Sequence, residues 1–273
     1  MDRQTILLIS DMRQVCLAEI LTKKGHNVRC LDIRNRELEK LKRFLDKADV
    51  LILPIPVQKV PEQEIFYDIL NKNLEKKTLV MGGCFSTEQR ELLTGRDIHF
   101  LDFMEDTVVT EENAVATAEG TIAELVEKSP YNIDEAKVLV TGYGYCGKAI
   151  AKRLGALGAR VTVLARRKEA RKEAKGDGFY AVDFAFGPEE AMGAAMVVNT
   201  VPALVVTEKI IRELPRDAYI VDIASGEGGT DFACAREYGI HADHVLGIPG
   251  KYAPKESAYI LERSVERFIL KEK

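Results

Sequence analysis

Gly142, Gly144 and Gly147 stand in the run Gly142-Tyr143-Gly144-Tyr145-Cys146-Gly147, after the apolar stretch "KVLVT" and at the start of "CGKAIAKRLGALG". Glycines at this spacing bind a dinucleotide when they join a strand to a helix, and the two flanking segments have those patterns. The first glycine permits a tight turn, the second lets backbone approach a pyrophosphate, and the third lets helix and strand pack closely. Unpaired N–H groups and a positive partial charge at the helix start would face the phosphates. Tyr143, Tyr145 and Cys146 complete the cofactor-binding loop. An NAD site has an acidic residue about 20 positions further on to hold the ribose 2′-hydroxyl. Here "LARRKEAR" presents Arg166 and Arg167 instead. Guanidinium groups bind a 2′-phosphate through charge-assisted hydrogen bonds, so the spacing predicts NADP in preference to NAD.

Two further stretches lie at strand ends. "VVNTVPALV" sets Asn199, Thr200, Val201 and Pro202 where ligands sit in open parallel sheets, and these are assigned to the nicotinamide-ribose side. "ASGEGGTDF" (224–232) follows the apolar run "AYIVDI" and offers three glycines, two acids and two hydroxyls. It reads as a second phosphate loop, a plain turn or the floor of an active site. None of the four histidines pairs with Ser or Cys in a nucleophile motif, so hydrolytic triads have no support.

Parallel strands must carry these loops. The first half alternates strand-like segments (5–10, 27–33, 49–55, 78–83, 98–103) with amphipathic ones such as "RQVCLAEILTKKG" and "RELEKLKRFLDKA". The second half repeats the scheme with strands at 136–142, 159–165, 179–184, 196–201, 218–223 and 244–248. Apolar runs of this kind suit parallel strands covered on both faces, and strict alternation implies right-handed crossovers. The expected fold is α/β, with two doubly wound parallel-sheet (Rossmann-like) domains, an inter-domain cleft and a C-terminal helix (256–270) returning to the first domain. Residues 1–118 with 256–273 are assigned to a substrate-side domain and 119–255 to a nucleotide-binding domain, joined by a helix over 118–128.

With 273 residues, 46% hydrophobic and 30% charged, the chain has the composition of a soluble globular protein large enough for two cores. A net charge of -4 provides no basic field for nucleic acid and no polybasic membrane patch. Five scattered cysteines lack a CxxC pair or zinc spacing, so neither a disulfide framework nor a metal site is expected. The start shows no signal-peptide core, and a reduced cytoplasm is the expected home.

The segments "GYGYCGKAIAKRLGALGARVTVLARR", "NTVPALV", "DIASGEGGTDFACAREYGI" and "GIPGKYAPKESAYIL" resemble the A subunit of bacterial dipicolinate synthase. Fainter matches are "SDMRQ" (10–14), "LPIP" (53–56) and "ATAEG" (116–120). The order "GGTDF…A…GI…PG…APK" is far more specific than the glycine fingerprint. Two departures stand out: Ala116 replaces the family's Pro before "TAEG", and Ser10 precedes Asp11 where Gly-Gly is usual.

The resemblance implies an NAD(P)-linked dehydrogenase that works with a flavoprotein-like B subunit. Together they form pyridine-2,6-dicarboxylate from dihydrodipicolinate in the mother cell of sporulating bacteria. On that basis Arg13 is the first choice for a substrate carboxylate partner, and Lys255, with Lys251, adds cations near the second crossing. Thr117 and Glu119 are expected at the start of the linker helix, as caps or as polar groups of the cleft, with proton handling as the further role for Glu119. With "GYGYCG" already the phosphate loop, "ASGEGGTDF" becomes substrate-side: Ser225 a polar contact, Asp222 a proton or orienting group, and Thr230 or Asp231 a helix cap. A homo-oligomer stays open. Rival readings are a 2-hydroxyacid, alanine or shikimate-type dehydrogenase, and a non-catalytic NADP-binding regulatory subunit.

Overall fold

Strand and helix alternate throughout the computed structural model, which describes residues 3–35 and 38–272. The first half runs β1 (Gln4–Ile9), α1 (Met12–Lys23), β2 (Asn27–Asp32), α2 (Leu38–Leu45), β3 (Val50–Ile52), α3 (Gln63–Asn73), β4 (Leu79–Gly82), α4 (Thr87–Gly95), β5 (Phe100–Asp102) and α5 (Thr107–Lys128). The second runs β6 (Lys137–Thr141), α6 (Tyr145–Ala156), β7 (Arg160–Leu164), α7 (Lys168–Gly176), β8 (Tyr180–Val182), α8 (Gly187–Ala191), β9 (Met196–Asn199), α9 (Glu208–Ile211), β10 (Tyr219–Asp222), α10 (Phe232–Glu237), β11 (His241–His244), α11 (Ile248–Tyr252) and α12 (Pro254–Lys271).

The chain divides into two compact units, Met1–Asn113 with Ala253–Lys273, and Ala114–Tyr252. The first holds a parallel sheet in the order β2-β1-β3-β4-β5. Alternate residues of its strands feed two cores: Ile6, Leu8, Leu51 and Val80 on one face, Leu7, Val50, Ile52 and Met81 on the other. That two-sided burial is why the strands read as unbroken apolar runs. Helix α12 returns to this unit, where Ala258, Leu261, Val265 and Ile269 share a core with Leu17 and Leu21 of α1. Lys24 donates to the buried Glu262 at 2.5 Å, and His26 meets Glu266 at 2.7 Å.

The second unit has the order β11-β10-β9-β6-β7-β8, with β6 and β9 adjacent at the reversal. This is the doubly wound arrangement that binds dinucleotides beyond the strands' carboxyl ends, next to the switch point. Its edge strand departs from expectation: β11 spans His241–His244, and residues 245–247 turn into α11. An edge strand has one neighbour and needs no two-sided apolar run, so the polar "HADH" pairs with β10 while Ile248 is buried in α11.

The linker helix also departs from expectation. It begins at Thr107, eleven residues before the expected start, because Asp106 caps it: Val108 N donates to Asp106 Oδ1 at 3.1 Å. The β-branched opening "TVVT" has low intrinsic helix propensity and masks this first turn. Thr117 and Glu119 therefore lie in mid-helix and cap nothing.

Within the second unit, α11 is seated on α5. A Cβ on Gly120 would come 2.6 Å from Tyr252 Cδ2, so only glycine lets the two helices approach this closely. Four residues on, Glu124 is fully buried and accepts from Lys251 Nζ and Tyr252 Oη, each at 2.6 Å, with Lys128 Nζ at 3.1 Å. Burial alone would raise its carboxyl, but the hydrogen bonds from Lys251, Tyr252 and Lys128 pull it down to about 2. A carboxylate with a depressed folded pKa stabilises fully above its ordinary value of 4.5 and loses that contribution as pH falls towards 2. Glu124→Gln should cost roughly 3 kcal/mol at neutral pH. It should also flatten the fall in melting temperature between pH 4.5 and about 2, read by thermal denaturation across that range. An unchanged acid profile would show that Glu124 does not carry this acid sensitivity.

Candidate functional site

The glycine loop has the shape its spacing predicts. Gly142 follows β6 at φ +84°, a conformation L side chains rarely adopt, and a Cβ there would lie 2.6 Å from Thr200 Oγ1. A Cβ on Gly147 would collide with the carbonyl oxygen of Gly142, so α6 closes onto the loop only with glycine there. Gly144 differs: it is exposed, it is the N-cap of α6, and a Cβ on it would meet nothing within 4 Å. Two glycines thus serve packing inside the protein, and one leaves bare backbone beside the α6 N-terminus. That open cradle fits the phosphates of a dinucleotide.

Tyr143 is buried and donates its hydroxyl to Asp177 at 2.9 Å; burial and that carboxylate raise its pKa. It anchors the loop to the α7–β8 turn, whereas Tyr145 is exposed beside Gly144. Cys146 is half-buried, with its thiol pKa raised by burial and opposed by a hydrogen bond with Thr117 of α5. This is where the structure puts Thr117: under the glycine loop, at 9% exposure. Glu119 is exposed and pairs with Arg153 of α6 at 3.7 Å.

After β7, Arg171 of α7 braces the chain through one nitrogen. Its Nη1 donates to the carbonyls of Ala165 (2.7 Å) and Arg166 (2.6 Å) and to Asp183 (2.6 Å), which fixes the β7–α7 turn. Arg166 and Arg167 are exposed on that turn, and among the described residues neither side chain has a hydrogen bond or ion pair. Acidic side chains are absent from residues 165–168, where an NAD site would carry one.

The ends of β9 and β10 form one latched assembly. Asn199 and Asp222 are both fully buried. Asn199 Oδ1 accepts from Thr141 Oγ1 of β6 and from Val201 N (3.1 Å), and its Nδ2 donates to the Val201 carbonyl (3.1 Å) and Asp222 Oδ2 (2.8 Å). Asp222 accepts from Ala224 N (2.9 Å) and Gly229 N (2.7 Å), which folds residues 224–229 back over its carboxylate. Gly229 has backbone from Val201 and Ala203 against it, and its carbonyl accepts from Val205 N and Val206 N, each at 2.9 Å. Thr200 Oγ1 donates to the Thr141 carbonyl at 2.7 Å and touches the glycine loop.

Asn199 and Asp222 are both buried within this latch, and of the two roles expected of Asp222, proton handling or orienting, these bonds are those of an orienting group. What remains open above the latch is Pro202 and Ser225, both exposed; among the described residues the Ser225 hydroxyl makes no hydrogen bond. Asp231, not Thr230, caps α10, accepting from Cys234 N at 3.0 Å.

The remaining two candidates belong to the first unit. Arg13 is 4% exposed, with Nη2 on Asp11 Oδ2 (3.2 Å) and on the Ile55 carbonyl (3.1 Å). Through Nη2 it ties the β1–α1 loop to the segment after β3. Lys255, near the start of α12, is exposed. Among the described residues no helix is long and apolar enough to cross a membrane.

Residues 10–104 match the family model for the N-terminal domain of the dipicolinate synthase A subunit, and residues 107–229 match "D-isomer specific 2-hydroxyacid dehydrogenase, NAD binding domain". The dipicolinate synthase A subunit of Bacillus subtilis is 31% identical over 157 residues, 58% of this chain and 53% of the relative, so the aligned part spans about half of that protein. Among solved structures, the dipicolinate synthase A subunit from Bacillus halodurans superposes with a TM-score of 0.83 at 25% identity, covering 98% of this chain and 97% of that one. The NAD-dependent formate dehydrogenase of Staphylococcus aureus, solved with NAD, shares the fold at TM-score 0.59 and 14% identity, over 99% and 96%. In sequence and in fold this chain is similar to the A subunit of dipicolinate synthase, with its second part similar to the NAD-binding domain of D-isomer specific 2-hydroxyacid dehydrogenases.

Proposed function

We propose that the chain is an NADP-dependent oxidoreductase subunit that forms pyridine-2,6-dicarboxylate from dihydrodipicolinate, working with a flavoprotein-like B subunit in the cytoplasm of a sporulating mother cell. The observation that carries this reading is the open Gly144 cradle followed, one strand later, by two unpaired arginines where a carboxylate would select NAD.

The nicotinamide ring supplies the hydride acceptor. Loss of one hydride and one proton from the dihydropyridine ring completes its aromaticity, so the protein needs chiefly to bind, orient and take up a proton. Backbone at Gly144 and the α6 N-terminus would hold the pyrophosphate, and Arg166 with Arg167 the 2′-phosphate. The latched loops keep Pro202 and Ser225 fixed at the carboxyl edge of the sheet, Ser225 offering a hydroxyl to the substrate. Asp222 and Asn199 are positioning residues.

The first test is equilibrium titration of the full chain with NADPH and NADH. The sequence has no tryptophan, so enhancement of nicotinamide fluorescence is read without a competing indole. NADPH should bind at least about 30-fold more tightly, the worth of one to two charge-assisted hydrogen bonds. Failure of both nucleotides to bind would sink the oxidoreductase reading.

A further inference from the structure

We infer that Ser10, Arg34 and Lys59 form the subsite through which the first unit takes a carboxylate of the substrate, a role that rests on the reaction proposed above. These three line a cavity of about 260 Å³ together with Ile33 and Pro61. Ser10 follows β1, Ile33 and Arg34 follow β2, and Lys59 and Pro61 follow β3, so the cavity lies at the carboxyl edge of the first sheet. In the order β2-β1-β3-β4-β5 the direction of winding reverses between β1 and β3, and ligands of doubly wound sheets bind beside that reversal.

The chemistry of the walls selects an anion. Lys59 Nζ spends one donor on Asp11 Oδ2 at 2.9 Å, which leaves two. Arg34 uses Nε (2.8 Å) and Nη2 (2.5 Å) on Asp32, which leaves Nη1. Among the described residues Arg13, Arg34 and Lys59 pair with two carboxylates, Asp11 and Asp32, so the paired cations outnumber the acids by one. Burial would raise the Asp11 carboxyl, yet Arg13 and Lys59 hold it below its ordinary value, so it stays charged and keeps both cations in place.

Gln14 Oε1 accepts from Ser10 Oγ (3.3 Å) and Asp11 N (3.0 Å), which sets its amide beside the Ser10 wall, while its Nε2 is buried with no acceptor. Arg13 Nε, also buried, has none either. Neither Gln14 nor Arg13 lines the cavity; through Ser10 and Asp11 they hold its wall and its lysine in place. Arg13 thus acts through its neighbours as a positioning residue, and Lys59 and Arg34 make the contact.

Calorimetric titration of the full chain with pyridine-2,6-dicarboxylate, with succinate and with inorganic phosphate tests this, using wild type, Lys59→Ala and Arg34→Ala. Both side chains are partly exposed and neither belongs to a core, so the variants should fold, and NADPH affinity in the second unit serves as the control. The expected result is a Kd for pyridine-2,6-dicarboxylate about tenfold or more weaker in Lys59→Ala, weaker also in Arg34→Ala, with NADPH binding unchanged. Dicarboxylate binding that both variants leave intact would overturn the subsite while the proposed reaction stands. Lys59-dependent binding of succinate without pyridine-2,6-dicarboxylate would support carboxylate recognition here and overturn that ring as its occupant. Phosphate bound as tightly as either dicarboxylate would overturn the assignment to a substrate carboxylate. Loss of NADPH binding by the wild type would count against the proposed reaction and not against this site.

Discussion

Replacing Arg166 and Arg167 together by alanine should weaken NADPH binding by about 10²- to 10³-fold and leave NADH within roughly threefold of wild type. The surroundings of the two arginines matter as much as their charge. Arg171, in the following helix α7, bonds two carbonyls at the start of their turn, and Asp183. It therefore holds the backbone from which the other two project, and among the described residues those two have no competing carboxylate. A 2′-phosphate would meet two guanidinium groups whose desolvation is modest and whose geometry suits paired hydrogen bonds. The change is measured by nicotinamide fluorescence on the double variant. Equal loss for both nucleotides would mean that the arginines act on the fold of the turn instead.

Asp222→Ala should be the most damaging single change in the second unit. It strips the acceptor from Ala224 N, Gly229 N and Asn199 Nδ2 in a place water does not reach. Ala224 N and Gly229 N are left without an acceptor while Asn199 keeps the Val201 carbonyl, and at about 1–3 kcal/mol for each abandoned buried donor a loss of roughly 2–6 kcal/mol is expected. The melting temperature should fall by on the order of 10 °C, with weaker nucleotide binding as Thr200 loosens against Gly142. Asp222→Asn separates this latch from a proton-accepting role. A proton acceptor would lose turnover with stability and nucleotide affinity intact. The latch predicts that all three fall together, because an amide presents N–H to donors that need an acceptor.

The residues that announced themselves in sequence did so through local physics. Gly142 and Gly147 are legible because each answers to a constraint of the local backbone, Gly144 because it completes their spacing, and the strands because burial on both faces leaves an unbroken apolar run. What stayed hidden depends on partners far along the chain. Asp222 read equally as a proton or an orienting group, since nothing in "DIASGEGG" says that the carboxylate turns back onto Gly229 and Asn199. Arg13 read as a free cation for the same reason: its partner is the carbonyl of Ile55, 42 residues away. Gly120 passed as part of a family motif, and its reason is the ring of Tyr252 pressed against α5. The polar β11 and the β-branched start of α5 misled because an edge strand and a well-capped helix tolerate sequences their interiors would not.

The proposed reaction is read by mixing the full chain with NADP and freshly generated dihydrodipicolinate, with and without the B subunit, and following nicotinamide reduction by absorbance. NADPH formed in step with pyridine-2,6-dicarboxylate, faster with the B subunit present and faster than with NAD, is the predicted result. Tight NADPH binding with no reduction under either condition would contradict it and leave a nucleotide-binding protein without this chemistry.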